Sequence, residues 1–463
     1  MLADGVAGLM TLFDPHRVAD PYPTYAWLRA ARPVWRPVER VHVLSRHEDC
    51  AAVLRDPRFG RGEGRLGMRR LGRNAEVVAE QPAVRSFLAL NPPDHTRLRR
   101  LVSRAFTPAR VRDLGPRIEA VAAELIKAAR ASGEPVDLIE ALASPLPVTV
   151  ISELLGVPAE DYDRLVGWSD ALARGLDPAF LISIDDRERQ QVARAEFGAY
   201  LTELIAERRR SPGGDLVSAL IGVADDGDVL SEEELIATCI LLLVAGHETT
   251  TSLIGSAVLE LIRHPDQLAR LRAEPELMAG AVEEFLRYDP PVQLTARVAL
   301  TDASIGPEPV AAGSAVLGLI QHPDQLARLR AEPGLMDGAV EEFLRYDPPV
   351  QLTARVALTD ASIGAVPVAA GSAALMLVGA ANRDPTLCAD PERLDIARPP
   401  TRHLSFGQGI HFCLGAPLAR LETQIVLRLL LERPDDLLLA GEPVWKENTV
   451  LRGLRSLPVT FAR

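Results

Sequence analysis

One cysteine stands apart from the other three. Cys413 lies near the end of Phe406-Gly407-Gln408-Gly409-Ile410-His411-Phe412-Cys413-Leu414-Gly415, and an uninterrupted helical pattern follows from Ala416 to Glu432. This spacing puts Cys413 just ahead of a helix N-terminus, where free amides and the helix dipole favour a thiolate. The glycines let backbone approach a flat ligand closely or take a positive φ. A thiolate in such a loop suits an axial metal ligand, with Phe406 placed to shield the sulfur. A small buried core residue is the ordinary fate of a free cysteine, and that is the reading for Cys50, Cys239 and Cys388. A zinc site at His411 and Cys413 would offer two ligands where about four are usual.

A second constellation sits inside a long helix. Ser231 and Glu234 form a capping-box pattern, apolar residues run from Leu235 to Ala245, and Pro265 ends the segment after about thirty residues. Polar Gly246-His247-Glu248-Thr249-Thr250 interrupts the apolar run, so its unbroken apolar part is too short to span a bilayer. A mid-helix glycine costs about 1 kcal/mol relative to alanine. Beside Glu248 and Thr249, Gly246 reads as an opening in the helix where an acid and an alcohol hold water and relay protons to a bound oxidant. His247 reads as a helix-surface or packing residue. A third pattern, Glu-x-x-Arg, puts both side chains on one helix face and occurs twice, as Glu284/Arg287 and Glu342/Arg345. Pro391-Glu392-Arg393 offers Arg393 as a further partner.

That doubling belongs to a larger one. Gly255–Ala312 recurs as Gly313–Ala370, 58 positions on, with six differences: 260/318, 263/321, 276/334, 279/337, 307/365 and 308/366. Solenoids use three or more diverged units with caps, so a tandem duplication explains two near-copies better. One core has room for one set. Copy two leads directly into the remaining motifs, and its hairpin carries Val366 where copy one has Pro307-Glu308, a poor pair for a buried strand. The expectation is therefore that Glu342, Arg345 and Arg355 are docked, with Glu284, Arg287 and Arg297 as the duplicate set.

The elements that must position these groups are mostly helices. Amphipathic stretches recur, for example Pro116–Ala131 and Val192–Arg210, while strand-like runs are fewer: Val41–Leu44, Thr353–Leu358, Ala374–Val378 and Leu457–Phe461. This predicts a mainly α (α+β) architecture with no Gly/Ser linker, read as one domain over 1–463. The 463 residues are 47% hydrophobic and 25% charged, with 63 acids against 51 bases and a net charge of −12, which disfavours nucleic acid as a partner. Four scattered cysteines point to a reducing compartment. The first fifteen residues carry no signal-peptide pattern, so a cytoplasmic protein without a membrane anchor is expected.

Taken in order, Ala-Gly-x-Glu-Thr, Glu-x-x-Arg, Pro-Glu-Arg and Phe-Gly-x-Gly-x-His-x-Cys-x-Gly resemble the cytochrome P-450 family, best its soluble bacterial type. Asp20-Pro21-Tyr22-Pro23, Asp56-Pro57-Arg58-Phe59, Pro92-Pro93-Asp94-His95-Thr96-Arg97 and Arg452-Gly453-Leu454-Arg455-Ser456-Leu457-Pro458 extend the likeness over nearly the whole chain. The resemblance implies a helical bundle with small sheets around haem b. Cys413 would be its proximal thiolate, donating electron density that favours O–O cleavage, in a loop with Phe406, Gly407 and Gly415. Glu248 and Thr249 match the distal acid–alcohol pair, and Ala245 lies against the cofactor. His95, Arg99, His411 and Arg355 match the groups that hold the haem carboxylates, whereas Arg97, Arg100 and Arg104 read as solvated helix charges. Gln408, where many relatives carry histidine, is not a ligand position.

The implied activity is monooxygenation of a small organic substrate, a secondary-metabolite scaffold, with electrons from NAD(P)H through ferredoxin reductase and ferredoxin. The alternatives are a peroxide-driven oxygenase on the same fold and a haem protein silenced by the duplication. Pocket walls are expected from Gly60–Leu90, Ala171–Ile184, Val244, Ala245, Leu352, Thr353 and the turn at Gly453.

Overall fold

A computed structural model describes residues 8, 11–12, 21–39, 41–61, 86–132, 135–174, 182–224, 227–263, 271, 278, 282, 294–295, 301–303, 352–363, 366–368, 372–392, 401–431, 436–446 and 453–462. The first half runs α1 (Tyr22–Ala31), β1 (Val34–Val38), β2 (Val41–Leu44), α2 (His47–Arg55), β3 (Phe59–Gly60), α3 (Asp94–Ala105), α4 (Pro108–Asp113), α5 (Gly115–Ala131) and β4 (Val136–Asp137). A π-helical turn (Ile139–Ala143) leads to α6 (Pro145–Leu155), α7 (Tyr162–Arg174), α8 (Ile184–Arg210), α9 (Leu216–Gly222) and α10 (Glu232–Arg263). Then come β5 (Leu294–Thr295), β6 (Thr301–Ala303), β7 (Leu352–Ile363), β8 (Val366–Val368), β9 (Ala373–Leu377), α11 (Val378–Asn382) and α12 (Ala416–Leu431). The chain closes with β10 (Asp436–Leu439), β11 (Val444–Trp445), β12 (Leu454–Ser456) and β13 (Pro458–Ala462).

Helix α10 is the axis of the fold. Its 32 residues span about 48 Å. Ser231 Oγ accepts from the Glu234 amide (3.2 Å) while the Glu234 carboxylate accepts from the Ser231 amide (2.8 Å), the reciprocal cap that its first residues predict. By length and composition Glu232–Leu259 could cross a membrane, but 67% of its most apolar window is buried inside the fold. It packs on α6, α7, α8 and α12. The expected opening at Gly246 is absent, since the helix runs unbroken through it. A Cβ there would lie 3.4 Å from the Ile151 side chain, so the missing side chain serves close packing against α6.

The largest sheet has the order β1-β2-β9-β7-β3, with β2 parallel to β9 and the other neighbours antiparallel. The expected strands are all present, shifted by a residue or extended: Thr353–Leu358 lies inside the twelve-residue β7. Copy two thus fills the position beside β9, with Arg355 opposite Ala374. Two pieces of copy one lie parallel to β7, residue against its own duplicate at Leu294/Leu352, Thr295/Thr353 and Ala303/Ala361. The helical part tells otherwise. Leu271, Met278 and Val282, all from copy one, are buried in the main core. Glu284, Arg287, Arg297, Glu342, Arg345 and Arg393 lie outside the described residues.

Candidate functional site

The Cys413 loop is built by two glycines. Gly407 and Gly409 both have φ +70, a region that L side chains avoid, and a Cβ on Gly409 would lie 2.6 Å from the Leu54 carbonyl oxygen. The loop folds back so that the Cys413 amide donates to the Phe406 carbonyl at 2.9 Å. Phe406 lies beneath the Arg420 guanidinium, 4.3 Å from its ring centroid. The amides of Gly415 and Ala416, at the start of α12, point to the Cys413 sulfur, as the motif predicts. The expected thiolate stabilisation is nonetheless outweighed. Burial pushes the thiol up, and those amides, Arg420 and Arg99 pull it only partly back.

Cys413 is also accessible, although enclosed by protein. Ile410 and Phe412 beside it are 51% and 44% exposed. Across the fold, Ala245 is exposed and Thr249 half-buried, one turn apart, on a helix whose Leu242, Leu243, Val244, His247 and Glu248 are buried. A single sulfur among amide donors, apolar accessible surface around it and a small-residue notch on α10 fit a flat apolar macrocycle whose metal that sulfur would hold. Two carboxylates on such a ring would need buried cations or donors. His95 is buried, with its ring centroid 4.1 Å from that of His411. One helical turn beyond His95, Arg99 donates to the Phe412 carbonyl. The fold therefore brings His95, Arg99 and His411 together from opposite ends of the chain. For Arg355 the backbone register alone is described.

The Thr249 hydroxyl donates to the Ala245 carbonyl (2.6 Å). Glu248 turns away from it, 3% exposed, and accepts from Lys446 Nζ at 2.8 and 2.9 Å. Asp170 on α7 also hydrogen-bonds Glu248. Lys446 holds Glu248 low, whereas partial burial beside Glu248 pushes Asp170 up to about 7. The pair thus keeps one proton up to near neutrality. Asp170 and Lys446 carry no sequence signal, because Lys446 is 198 residues from Glu248 and no local pattern links them. His247 is buried between Ser144 (3.1 Å) and Ser169 (2.9 Å), and burial pushes it down to about 4, so it packs as a neutral ring and not as a surface residue. Among the described residues, Asp170, His247 and Glu248 form the one cluster of three potential metal-ligating side chains; Lys446 supplies its cation, and Cys413 is not in it.

One further expectation is corrected. Arg97 is no solvated charge but pairs with Asp228 and Glu234, tying α3 to the start of α10. Gly453, expected beside the pocket, packs on the long helix. It lies flush on Ser252 of α10 and its carbonyl accepts from the Lys446 amide (2.8 Å), beside the point where Lys446 reaches Glu248. The expected pocket stretches 62–85 and 175–181 lie outside the described residues.

An Asp170→Asn variant isolates the shared proton. A carboxyl raised from 3.8 to about 7 binds its proton more tightly in the folded state, so its presence erodes stability as pH climbs from about 4 to 7. The wild type should lose melting temperature over that range relative to the variant. Parallel curves would refute the shared proton.

The family profile described as Cytochrome P450 matches residues 68–324 and 327–447. The chain is 40% identical over 454 residues to the cytochrome P450 monooxygenase PikC of Streptomyces venezuelae, covering 96% of this chain and 92% of that one. It is 34% identical to the polyketide biosynthesis cytochrome P450 PksS of Bacillus subtilis, covering 94% and 90%. The crystal structure of ligand-free Mycobacterium smegmatis CYP164A2 superposes with a TM-score of 0.77 at 39% identity, covering 97% and 98%.

Proposed function

The chain belongs to the cytochrome P450 family, as a monooxygenase with a haem cofactor, and from that premise we propose that it oxygenates a polyketide-type secondary metabolite. The observation that carries the site assignment is the accessible sulfur of Cys413 under the amides of Gly415 and Ala416. The substrate class is supported by the likeness to PksS, named for polyketide biosynthesis. Haem held by Cys413 would supply the metal centre that activates dioxygen, with thiolate donation favouring O–O cleavage.

The remaining roles fall to the chain itself. His95, Arg99, His411 and Arg355 hold the cofactor carboxylates, and Phe406 with Gly407 shields the sulfur. Ala245 leaves room on the opposite face. Thr249 hands on protons drawn from Glu248, whose carboxylate Lys446 and Asp170 position. Electrons arrive singly from NAD(P)H through a reductase and a ferredoxin in the cytoplasm.

The test is spectral titration of the ferric protein with a panel of macrolactones and linear polyketides, followed by turnover with ferredoxin and reductase. The expected result is a ligand-induced spectral change and a product one oxygen atom heavier; a panel that gives neither, while terpenoids or peptides do, overturns the substrate class. Thr249→Ala should reduce reductase-supported product formation by about 10²-fold, the scale of a lost proton-transfer group. Unchanged turnover would instead identify a peroxide-driven enzyme.

A further inference from the structure

The duplication gives this chain two candidate sets of cofactor-side residues, and the described residues do not draw on a single copy. Leu271, Met278 and Val282 are 1%, 5% and 0% exposed within the main core and all belong to copy one. Their spacings of seven and four put them on one helix face. The strand beside β9 is β7, which belongs to copy two. Copy one's own strand pieces lie outside that place, paired to β7 in parallel.

We propose that the cofactor core is a mosaic of the two copies, with the helix of copy one supplying Glu284 and Arg287 and the strand of copy two supplying Arg355. Residues 294–351 are then the surplus. Their length, 351 − 293 = 58, equals the repeat. This assigns the Glu-x-x-Arg role to Glu284/Arg287, in place of Glu342/Arg345, and it rests on the haem reading above only for what those side chains do.

The six differences between the copies sort by half. Four fall in the helical part, and each favours copy one as helix. Glu260 corresponds to Gly318 and Glu276 to Gly334; glycine is the poorest helix former after proline. Arg263, the last residue of α10, complements the helix dipole where Gln321 would not. Ala279, next to helical Met278, corresponds to the weaker helix former Asp337. The other two differences fall in the hairpin and favour copy two. Val366 pairs with Ile363 and packs against a second, smaller apolar cluster that includes Leu44, Phe59, Ile363 and Val368, leaving residues 364 and 365 between the paired strands. In copy one this corner would carry Pro307, disfavoured at the second turn position, and would press the carboxylate of Glu308 onto that cluster.

Chain continuity points the same way. Helix α10 leads straight into copy one's helical residues, and β7 leads straight into β8 and β9.

Peptide-resolved hydrogen exchange on the holoprotein reads this directly, because peptides from the copies differ in mass wherever they contain a differing position. Peptides with Glu276 and Ala279 should exchange at least about tenfold more slowly than those with Gly334 and Asp337. Peptides with Ala365 and Val366 should likewise exchange more slowly than those with Pro307 and Glu308. Protection of both halves in the same copy overturns the mosaic. A deletion of 294–351 should yield a folded chain melting no lower than the full-length protein, and its failure to fold also overturns the proposal. Haem retention on gel filtration then tests the roles: Glu284→Ala should release haem and Glu342→Ala should not, with the reverse result overturning the assignment. Should no variant of the mosaic change haem retention while the exchange pattern holds, the haem role of these side chains fails and the mosaic stands.

Discussion

Replacing Cys413 with serine should abolish monooxygenase turnover while leaving the fold intact. The sulfur is the one soft donor in its loop, and a serine hydroxyl is a far weaker acid and a harder ligand in the same surroundings. The reduced, carbon-monoxide-treated variant should lack the spectrum of a thiolate-ligated haem. The side chain is accessible, so little packing is lost and melting of the apoprotein should move by no more than about 0.5 kcal/mol of stability, the scale of an exposed substitution. Retention of the thiolate-type spectrum in the serine variant would remove Cys413 from the site. A large loss of apoprotein stability would mean that the residue is structural.

The second large effect is expected far from the sulfur. Lys446→Met leaves Glu248, 3% exposed, without its cation, and breaking one side of a buried ion pair costs about 3–5 kcal/mol. The sign of the pH dependence follows from the carboxyl. In the wild type Lys446 holds Glu248 below its ordinary 4.5, so the pair's contribution is present above that pH and fades as acid protonates the carboxylate. In the variant, burial raises Glu248, which takes up a proton and recovers part of the loss. The gap in melting temperature should therefore be widest near pH 8 and narrow towards pH 5. Adding Glu248→Gln to Lys446→Met should restore most of the stability, because no uncompensated charge remains. Additive losses in the double variant would show that Lys446 and Glu248 are not energetically coupled. The same ion pair bears on the proposed proton supply, since Lys446 fixes both oxygens of the carboxylate from which Thr249 would draw.

The residues that carry chemistry were legible wherever the chemistry is local. A sulfur ahead of a helix start, glycines where φ must be positive, and a capping box at Ser231 each act within a few residues, and each is found where its pattern puts it. Gly246 misled because helix propensity says that a glycine is costly without saying what the vacancy is for; the answer is Ile151 on another helix. Arg97 misled in the same way, since its partners Asp228 and Glu234 lie more than a hundred residues away.

The sequence by itself determined the family, the helical bundle and the placing of Cys413 ahead of a helix start, because motif spacing and hydrophobic period are properties of neighbouring residues. Only the tertiary structure decided that Glu248 faces Lys446 and Asp170, that His95 meets His411, and which parts of a near-identical repeat enter the core and the sheet. Two copies that differ at six positions have slightly different local preferences, too close to place either copy by themselves. What separates them is the surface each must match, and that surface exists only once the rest of the chain has folded around it.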